Sequence, residues 1–289
     1  MSAWGRVTIV GLGLMGGSLA LAFKRAGVAA EVLGCGRQAL LNRALELKAI
    51  DGGSTSLLEA VRDADLVVLC TPVETSIRLM EEMAAALKPG ALITDVGSTK
   101  LAFAEGARRI FGADAAARVL PGHPLAGREV SGLEHATADL YQGAVWALTP
   151  LDEQPMTDVQ RLLELSLAAI GANIVHVTPE EHDRTLAYTS HLPQMLSTAL
   201  AMTLQTQFTG ADDPALKIHA GGLISMLRLA CSDPAMWEQV AASNRENIAA
   251  ALERFEQELR RLRESLGREE FRREFEAARE FARIVKQDR

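Results

Sequence analysis

Several short stretches carry residues whose types and spacing could do chemistry. "GLGLMG" sets Gly11, Gly13 and Gly16 around Leu12, Leu14 and Met15 as GxGxxG. After a strand and opening a helix, this spacing builds a phosphate cradle. Gly11 permits the tight turn, Gly13 lets backbone approach a pyrophosphate, Gly16 lets the helix pack close on the strand, and the helix N-terminus faces the anion. "CTPVE" and "DVGSTK" follow later apolar runs. There Thr71 and Pro72 could line a nicotinamide ribose and Gly97 could approach the same nucleotide. Ser98 could reach a reacting carbon or merely cap the helix behind it. "PGHPLAGRE" holds His123 between Gly122 and Pro124, on a segment that can be neither helix interior nor central strand. On these residues alone, His123 is either a turn histidine or a base, set on an irregular cleft loop.

The nucleotide can be read more finely. A site that prefers NAD places Asp or Glu about 20 residues beyond the glycines, on the ribose hydroxyls. Here the chain reads "VLGCGRQ", with Gly36 in the acid's place and Arg37 after it. Without a carboxylate to repel it, a 2′-phosphate can be held by the guanidinium in bidentate fashion. NADP is the expected cofactor, with NAD as the alternative.

These residues need elements to position them. In the first half, bare apolar runs alternate with helical patterns: Val7–Val10, Glu31–Gly34, Leu66–Cys70 and Ala91–Thr94 read as strands, separated by helices over Gly17–Arg25, Leu40–Lys48 and Ser76–Ala86. Strands without polar alternation, with helices between them, predict a Rossmann-type, doubly wound parallel sheet covered on both faces. "VWALTP", a helix over Asp158–Ile170 and a strand over Asn173–Val177 follow, and the strand is expected to extend that sheet.

From Pro179 the pattern is helical. Trp237, Val240, Asn244, Ile248, Leu252, Phe255, Leu259, Leu262 and Leu266 step by three or four, which predicts one long amphipathic helix. Gly267 ends it, and Phe271, Phe275, Ala278 and Ala282 continue the stripe on a second helix. That much apolar surface exceeds what a small helical core needs, so part of it is expected to pack on a second subunit. Two domains are expected, over residues 1–177 and 178–289.

Bulk composition narrows the function class. The chain has 289 residues, 48% hydrophobic and 23% charged, with a net charge of −7. That balance fits a folded protein acting on small molecules and argues against a nucleic-acid binder. Cys35, Cys70 and Cys231 are too far apart for a CxxC motif and read as reduced core thiols; no metal-ligand cluster is evident. With no basic leader before an apolar run and no uninterrupted apolar span of about 18 residues, a cytoplasmic protein without membrane contact is expected.

Taken in order, "GLGLMGGSLA", "DVGSTK", "GHPLAGRE" with "SGLEHA" after Val130, "LYQGAVWALTP", "EEHDRTLAYTSHLPQ" and "SDPAMW" resemble the prephenate and arogenate dehydrogenases of tyrosine biosynthesis. The resemblance covers nearly the whole chain. It implies a nucleotide-binding domain, an all-α C-terminal domain that forms a homodimer, and an active site in the cleft between them. It also implies a reaction, the oxidative decarboxylation of prephenate with hydride passing to NAD(P); arogenate, or both substrates, is the alternative. Oxidising the ring C4 hydroxyl requires loss of its proton as hydride leaves the same carbon, a task suited to a neutral imidazole near pH 7.

By resemblance, His123 takes the catalytic position and Ser98 helps hold the same hydroxyl. Glu129 falls on an acid of the ionic network around the cleft. Ser190, His191 and Gln194 face the substrate, and Arg228 clamps a substrate carboxylate. Two departures stand out: Gln194 replaces a histidine found in many members, and Leu223, Ile224 and Ser225 replace a Phe, basic, Asp run. They leave the choice between prephenate and arogenate open. The β-hydroxyacid dehydrogenases share only "GLGLMG"; their lysine has no counterpart between Lys100 and Lys217, and Gly221 stands where they have Asn. A non-enzymatic NADP-binding regulator is disfavoured by the presence of Ser98, His123 and Arg228 together.

Overall fold

The computed structural model describes residues 4–127, 130–208 and 213–287. The apolar runs form a five-stranded sheet in the order β3-β2-β1-β4-β5, with β1 at Trp4–Val10, β2 at Ala29–Cys35, β3 at Gly52–Ser54, β4 at Leu66–Leu69 and β5 at Leu92–Asp95. Every pairing in it is parallel. Helices α1 (Leu14–Ala26), α2 (Gln38–Glu46), α3 (Leu57–Val61), α4 (Val73–Met83) and α5 (Leu101–Phe111) make the crossovers. Val7, Ile9, Leu66 and Val68 enter one core, whereas Val10, Val67, Leu69 and Ile93 enter another. This two-sided burial is why the strands show no polar alternation. The chain winds outward from β1 to β3 and then returns to β4 on the other side. The carboxyl ends of β1 and β4 therefore flank the switch point where a doubly wound sheet opens its ligand crevice.

The later strands do not extend this ladder. After the short helix α6 (Ala115–Arg118), β6 (Gly122–Pro124), β7 (Val145–Leu148) and β8 (Asn173–His176) form a second sheet, with β6 antiparallel and β8 parallel to β7. An isolated parallel bridge links Ile93 of β5 to Val119, just before β6. Leu120 still donates to the Ile93 carbonyl, but Pro121 has no N–H to offer next and the Gly122 N–H turns to the Asp95 side chain. The ladder stops there. His123 thus lies on a short edge strand, not on an irregular loop; Pro124 is tolerated because the strand has an unpaired side. Helix α7 (Asp158–Ala169) separates β7 from β8.

The helical part opens with α8 (Pro179–Leu186), started by a capping box: the Thr178 hydroxyl accepts from Glu181 N, and the Glu181 carboxylate accepts from Thr178 N. A π-turn over Ala187–His191 leads into α9 (Leu192–Gln207). Pro193 lies just inside α9, where its missing N–H is tolerated. Then come α10 (Gly221–Leu227), α11 (Pro234–Ser243), α12 (Arg245–Ser265) and α13 (Glu269–Gln287).

The single long helix expected over the apolar stripe is broken at Asn244, whose backbone leaves the helical region at φ −128° and ψ 31°. Its buried side chain is tied to α8 instead, as described below. Beyond the break the stripe is largely uncovered: Leu259, Leu262, Leu266 and Phe275 are exposed, and off the stripe so are Ile284 and Phe281, the latter by 68%. Cys35 is buried and Cys70 half-buried, but Cys231 is exposed and so is not a core thiol. Among the described residues, no helix is long and apolar enough to cross a membrane.

Candidate active site

The glycines of the first turn have separable duties. Gly11 has φ +96°, and a Cβ there would lie 2.7 Å from the Cys70 carbonyl oxygen. A Cβ on Gly16 would lie 2.0 Å from the Gly11 carbonyl oxygen, so α1 can sit this close to β1 only with glycine. A Cβ on Gly13 would meet nothing within 4 Å. The protein does not need glycine there, whereas a phosphate approaching the backbone would. Gly13 begins α1 with no side-chain cap and no acid in the first turn, so the N–H groups and the positive end of the helix dipole are left for an anion. The Tyr141 hydroxyl donates to the Met15 carbonyl at 2.7 Å and fixes that turn from behind. The side chain of Leu12 is buried in the core and Leu14 is nearly so. These residues fit a dinucleotide.

Met15, Thr71, Pro72, Gly97 and Ser98 share the wall of one crevice of about 330 Å³, closed from the helical side by residues such as Gln239 and Ser243. The Thr99 and Ser243 hydroxyls meet at 2.8 Å across that junction. Ser98 is half-buried. Arg37 stands apart, exposed at the head of α2 beyond β2.

Behind Ser98 lies a buried ionic pair that sequence reasoning passed over. Asp95 ends β5, Lys100 precedes α5, and the Lys100 ammonium donates to Asp95 Oδ2 with both side chains essentially inaccessible. Lys100 also donates to the Gly122 carbonyl at 2.7 Å, while Asp95 accepts from Gly97 N at 2.9 Å and Gly122 N at 3.1 Å. Burial pushes the Asp95 carboxyl up and the Lys100 ammonium down, and each is the other's main counterweight. The pair thus pins the Ser98 loop and the His123 strand to each other. The signal was present in "DVGSTK", where Asp and Lys flank a turn entering an apolar helix.

His123 keeps 8% of its surface exposed. Its Nδ1 lies 2.9 Å from His182 Nε2, and His182 Nδ1 lies 2.7 Å from Asp183 Oδ1. Asp183 is engaged further by the N–H groups of Lys100 at 2.7 Å and Leu101 at 3.0 Å, the start of α5. Burial first, then the neighbouring His182, Lys100 and His191, hold the His123 imidazole well below the usual histidine range. It is neutral near pH 7 and able to take a proton. Asn244 donates to the Asp183 carbonyl at 2.7 Å and lies 3.2 Å from His191 Nδ1. Burial lowers His191 to about 4.

The remaining expected site residues are less uniform. His191 is buried against Trp237, their rings 5.8 Å apart, and Ser190 is half-buried at the end of the π-turn. The Gln194 carboxamide is committed internally: it donates to the Leu229 carbonyl at 2.8 Å and accepts from the Ser232 hydroxyl at 3.2 Å. It thereby holds the turn that begins at Arg228, which is itself exposed. Neither His123 nor Arg228 lines the crevice shared by Ser98 and the nucleotide loops. Glu129 lies outside the described residues.

Known proteins match the chain over both of its parts. The prephenate dehydrogenase nucleotide-binding domain matches residues 19–176, and the prephenate dehydrogenase dimerization domain matches residues 178–287. The prephenate dehydrogenase of Bacillus subtilis is 34% identical over 261 residues, 89% of this chain and 68% of that protein. The cyclohexadienyl dehydrogenase of Zymomonas mobilis is 30% identical over 92% of this chain and 90% of its own length. A crystal structure of prephenate dehydrogenase from A. aeolicus, in complex with hydroxyphenyl propionate and NAD+, superposes with a TM-score of 0.84 at 32% identity, covering 98% of this chain and 96% of that one. Carried by matches that together span both sheets and the helical tail, the chain belongs to the prephenate dehydrogenase family.

Proposed function

We propose that the protein oxidatively decarboxylates prephenate for tyrosine biosynthesis, with His123 as general base. The observation that carries this reading is a neutral, buried imidazole pinned by Asp95 and Lys100 to the Ser98 loop, which shares its crevice with the phosphate cradle. Bound NAD(P) supplies the hydride acceptor. His123 takes the proton of the C4 hydroxyl and Ser98 hydrogen-bonds the same oxygen, so the developing carbonyl forms without a free oxyanion. Once C4 has lost its hydride, the C1–carboxylate bond breaks, its electron pair passes through the ring to the C4 oxygen, which takes the proton back from His123, and carbon dioxide departs to leave an aromatic phenol. Arg228 holds a substrate carboxylate, and Gln194, from α9, fixes the turn on which Arg228 stands. Ser190, His191 and Glu129 complete the substrate side.

The cofactor is NADP by preference. Gly36 offers no carboxylate to repel a 2′-phosphate, and the Arg37 guanidinium stands exposed beside it. The exposed faces of α12 and α13 form the homodimer contact, and the domain boundary falls at residue 177. Absorbance of the reduced nicotinamide, followed with prephenate or arogenate and with NADP or NAD, tests the set. The expected order is prephenate with NADP first. Turnover with neither substrate refutes the reaction, and a higher kcat/KM with NAD refutes the cofactor preference. A solution mass equal to one chain at micromolar concentration refutes the dimer.

A further inference from the structure

We infer that His182 and Asp183 are positioning residues that fix the proton on His123 Nδ1 and so keep Nε2 of His123 as a bare acceptor. Asp183 can only accept, so the His182 nitrogen facing it, Nδ1 at 2.7 Å, must carry hydrogen. A singly protonated His182 held this way presents an unprotonated Nε2 to His123. The 2.9 Å contact between the rings is a hydrogen bond only if His123 Nδ1 donates. That leaves Nε2, which makes no hydrogen bond to the described residues, as the lone pair able to take a substrate proton.

The carboxylate itself is held in place. The N–H groups of Lys100 and Leu101 approach it from the start of α5, and Asn244 grips the Asp183 carbonyl from the break between α11 and α12. Among the described residues, Asp183 is the carboxylate in hydrogen-bond contact with either ring; Lys100 and His191 are the other titratable groups that bear on His123. Charge arriving on His123 therefore faces, through His182, a fixed negative partner. The arrangement follows the logic by which a buried carboxylate sets the tautomer and orientation of a catalytic imidazole. His182 acts on the reaction through His123.

The test begins with the unliganded, full-length protein, so its spectroscopic arm is independent of the reaction proposed above. Long-range nitrogen-15 to proton correlations of the histidine rings are recorded near neutral pH, with His123 assigned from the spectrum of His123→Asn. The expected signature is a protonated Nδ1 and an unprotonated Nε2 on His123. In Asp183→Asn the amide donates toward His182, reversing the chain, and His123 shifts to the Nε2–H form. His182→Phe keeps a ring of similar size and removes the acceptor, covering the case in which loss of the α5 cap prevents Asp183→Asn from folding.

The kinetic arm rests on the dehydrogenase reading. In both folded variants kcat falls roughly 10²–10⁴-fold while KM stays within about threefold, as for an imidazole held in the wrong tautomer. An Nε2–H form of His123 in the unmodified protein overturns the inference, and so does an unchanged tautomer with unchanged kcat in either folded variant. If no substrate turns over, the proposed function fails and the tautomer measurement still decides the relay.

Discussion

The glycine turn and the buried polar cluster at His123 sit at the same end of the molecule and are built in opposite ways. The turn works by leaving side chains out: Gly11 and Gly16 remove atoms that would strike the Cys70 and Gly11 carbonyls, and the backbone at Gly13 is left open. The cluster works by burying ionisable side chains and satisfying each one. Lys100, Asp95, His123, His182, Asp183 and Asn244 form a connected set of hydrogen bonds linking residues up to 83 positions apart. The first solution is local and tolerates only small residues. The second is assembled by the whole fold, and any member left alone is costly.

The largest effect is expected where the cluster meets the chemistry. His123→Asn keeps a polar group of similar reach but cannot accept the hydroxyl proton, so kcat should fall roughly 10²–10⁴-fold in a protein whose melting is little changed. Near-normal turnover in the folded variant would remove the base from the mechanism. Next comes the pair that supports it. Lys100→Met leaves Asp95 buried without its cation and the Gly122 carbonyl without a donor, a loss of about 3–5 kcal/mol by denaturant unfolding. Adding Asp95→Asn should recover part of that loss, because a neutral pair has no stranded charge; a double variant as unstable as the single one would deny that the ion pair is the cause.

The difference between the two regions also explains what the sequence made legible. The alternating runs, the parallel sheet and the turn and packing duties of Gly11 and Gly16 depend on neighbours in the chain, and each is readable from spacing. "DVGSTK" and "EEHD" were visible as motifs, yet the partners of Asp95, Lys100, His182 and Asp183 lie on other elements, and nothing local reveals that they are buried together. Asn244 shows the limit most clearly. It falls in step with an apolar stripe and reads as part of one helix, but its amide is used on α8 and the helix breaks there. The edge strand at His123 was hidden for a related reason: Gly122 and Pro124 argue against a strand until β7 is known to lie alongside.

Acid should separate the regions again. His191 titrates near 4 in the fold against about 6.5 when unfolded, and His123 is shifted in the same direction. For such groups the unfolded chain binds protons first, so stability is full above about pH 6.5 and falls as pH drops toward 4. The His191 shift alone corresponds to a loss of about 3 kcal/mol across that window. Replacing His191 by Gln should flatten the dependence. A stability curve in which His191→Gln changes only the height and not the slope between those pH values would place the proton uptake elsewhere.

The smallest effects are the most discriminating, because they compare two positions in one turn. Gly16→Ala must push a Cβ off the Gly11 carbonyl oxygen, 2.0 Å away and part of the backbone, so α1 has to move from β1. A destabilisation of about 1–3 kcal/mol or more is expected, measurable without any ligand. Gly13→Ala meets open space at a negative φ, so the unliganded protein should melt as before. Its methyl group would instead occupy the approach of the pyrophosphate, and nucleotide affinity should weaken about tenfold, equivalent to about 1.4 kcal/mol. If Gly13→Ala lowers stability as much as Gly16→Ala, the glycine there serves the fold. If both bind nucleotide normally, the phosphate does not lie over this turn, and the division between a cradle made of absent side chains and a cluster made of buried ones would have to be redrawn.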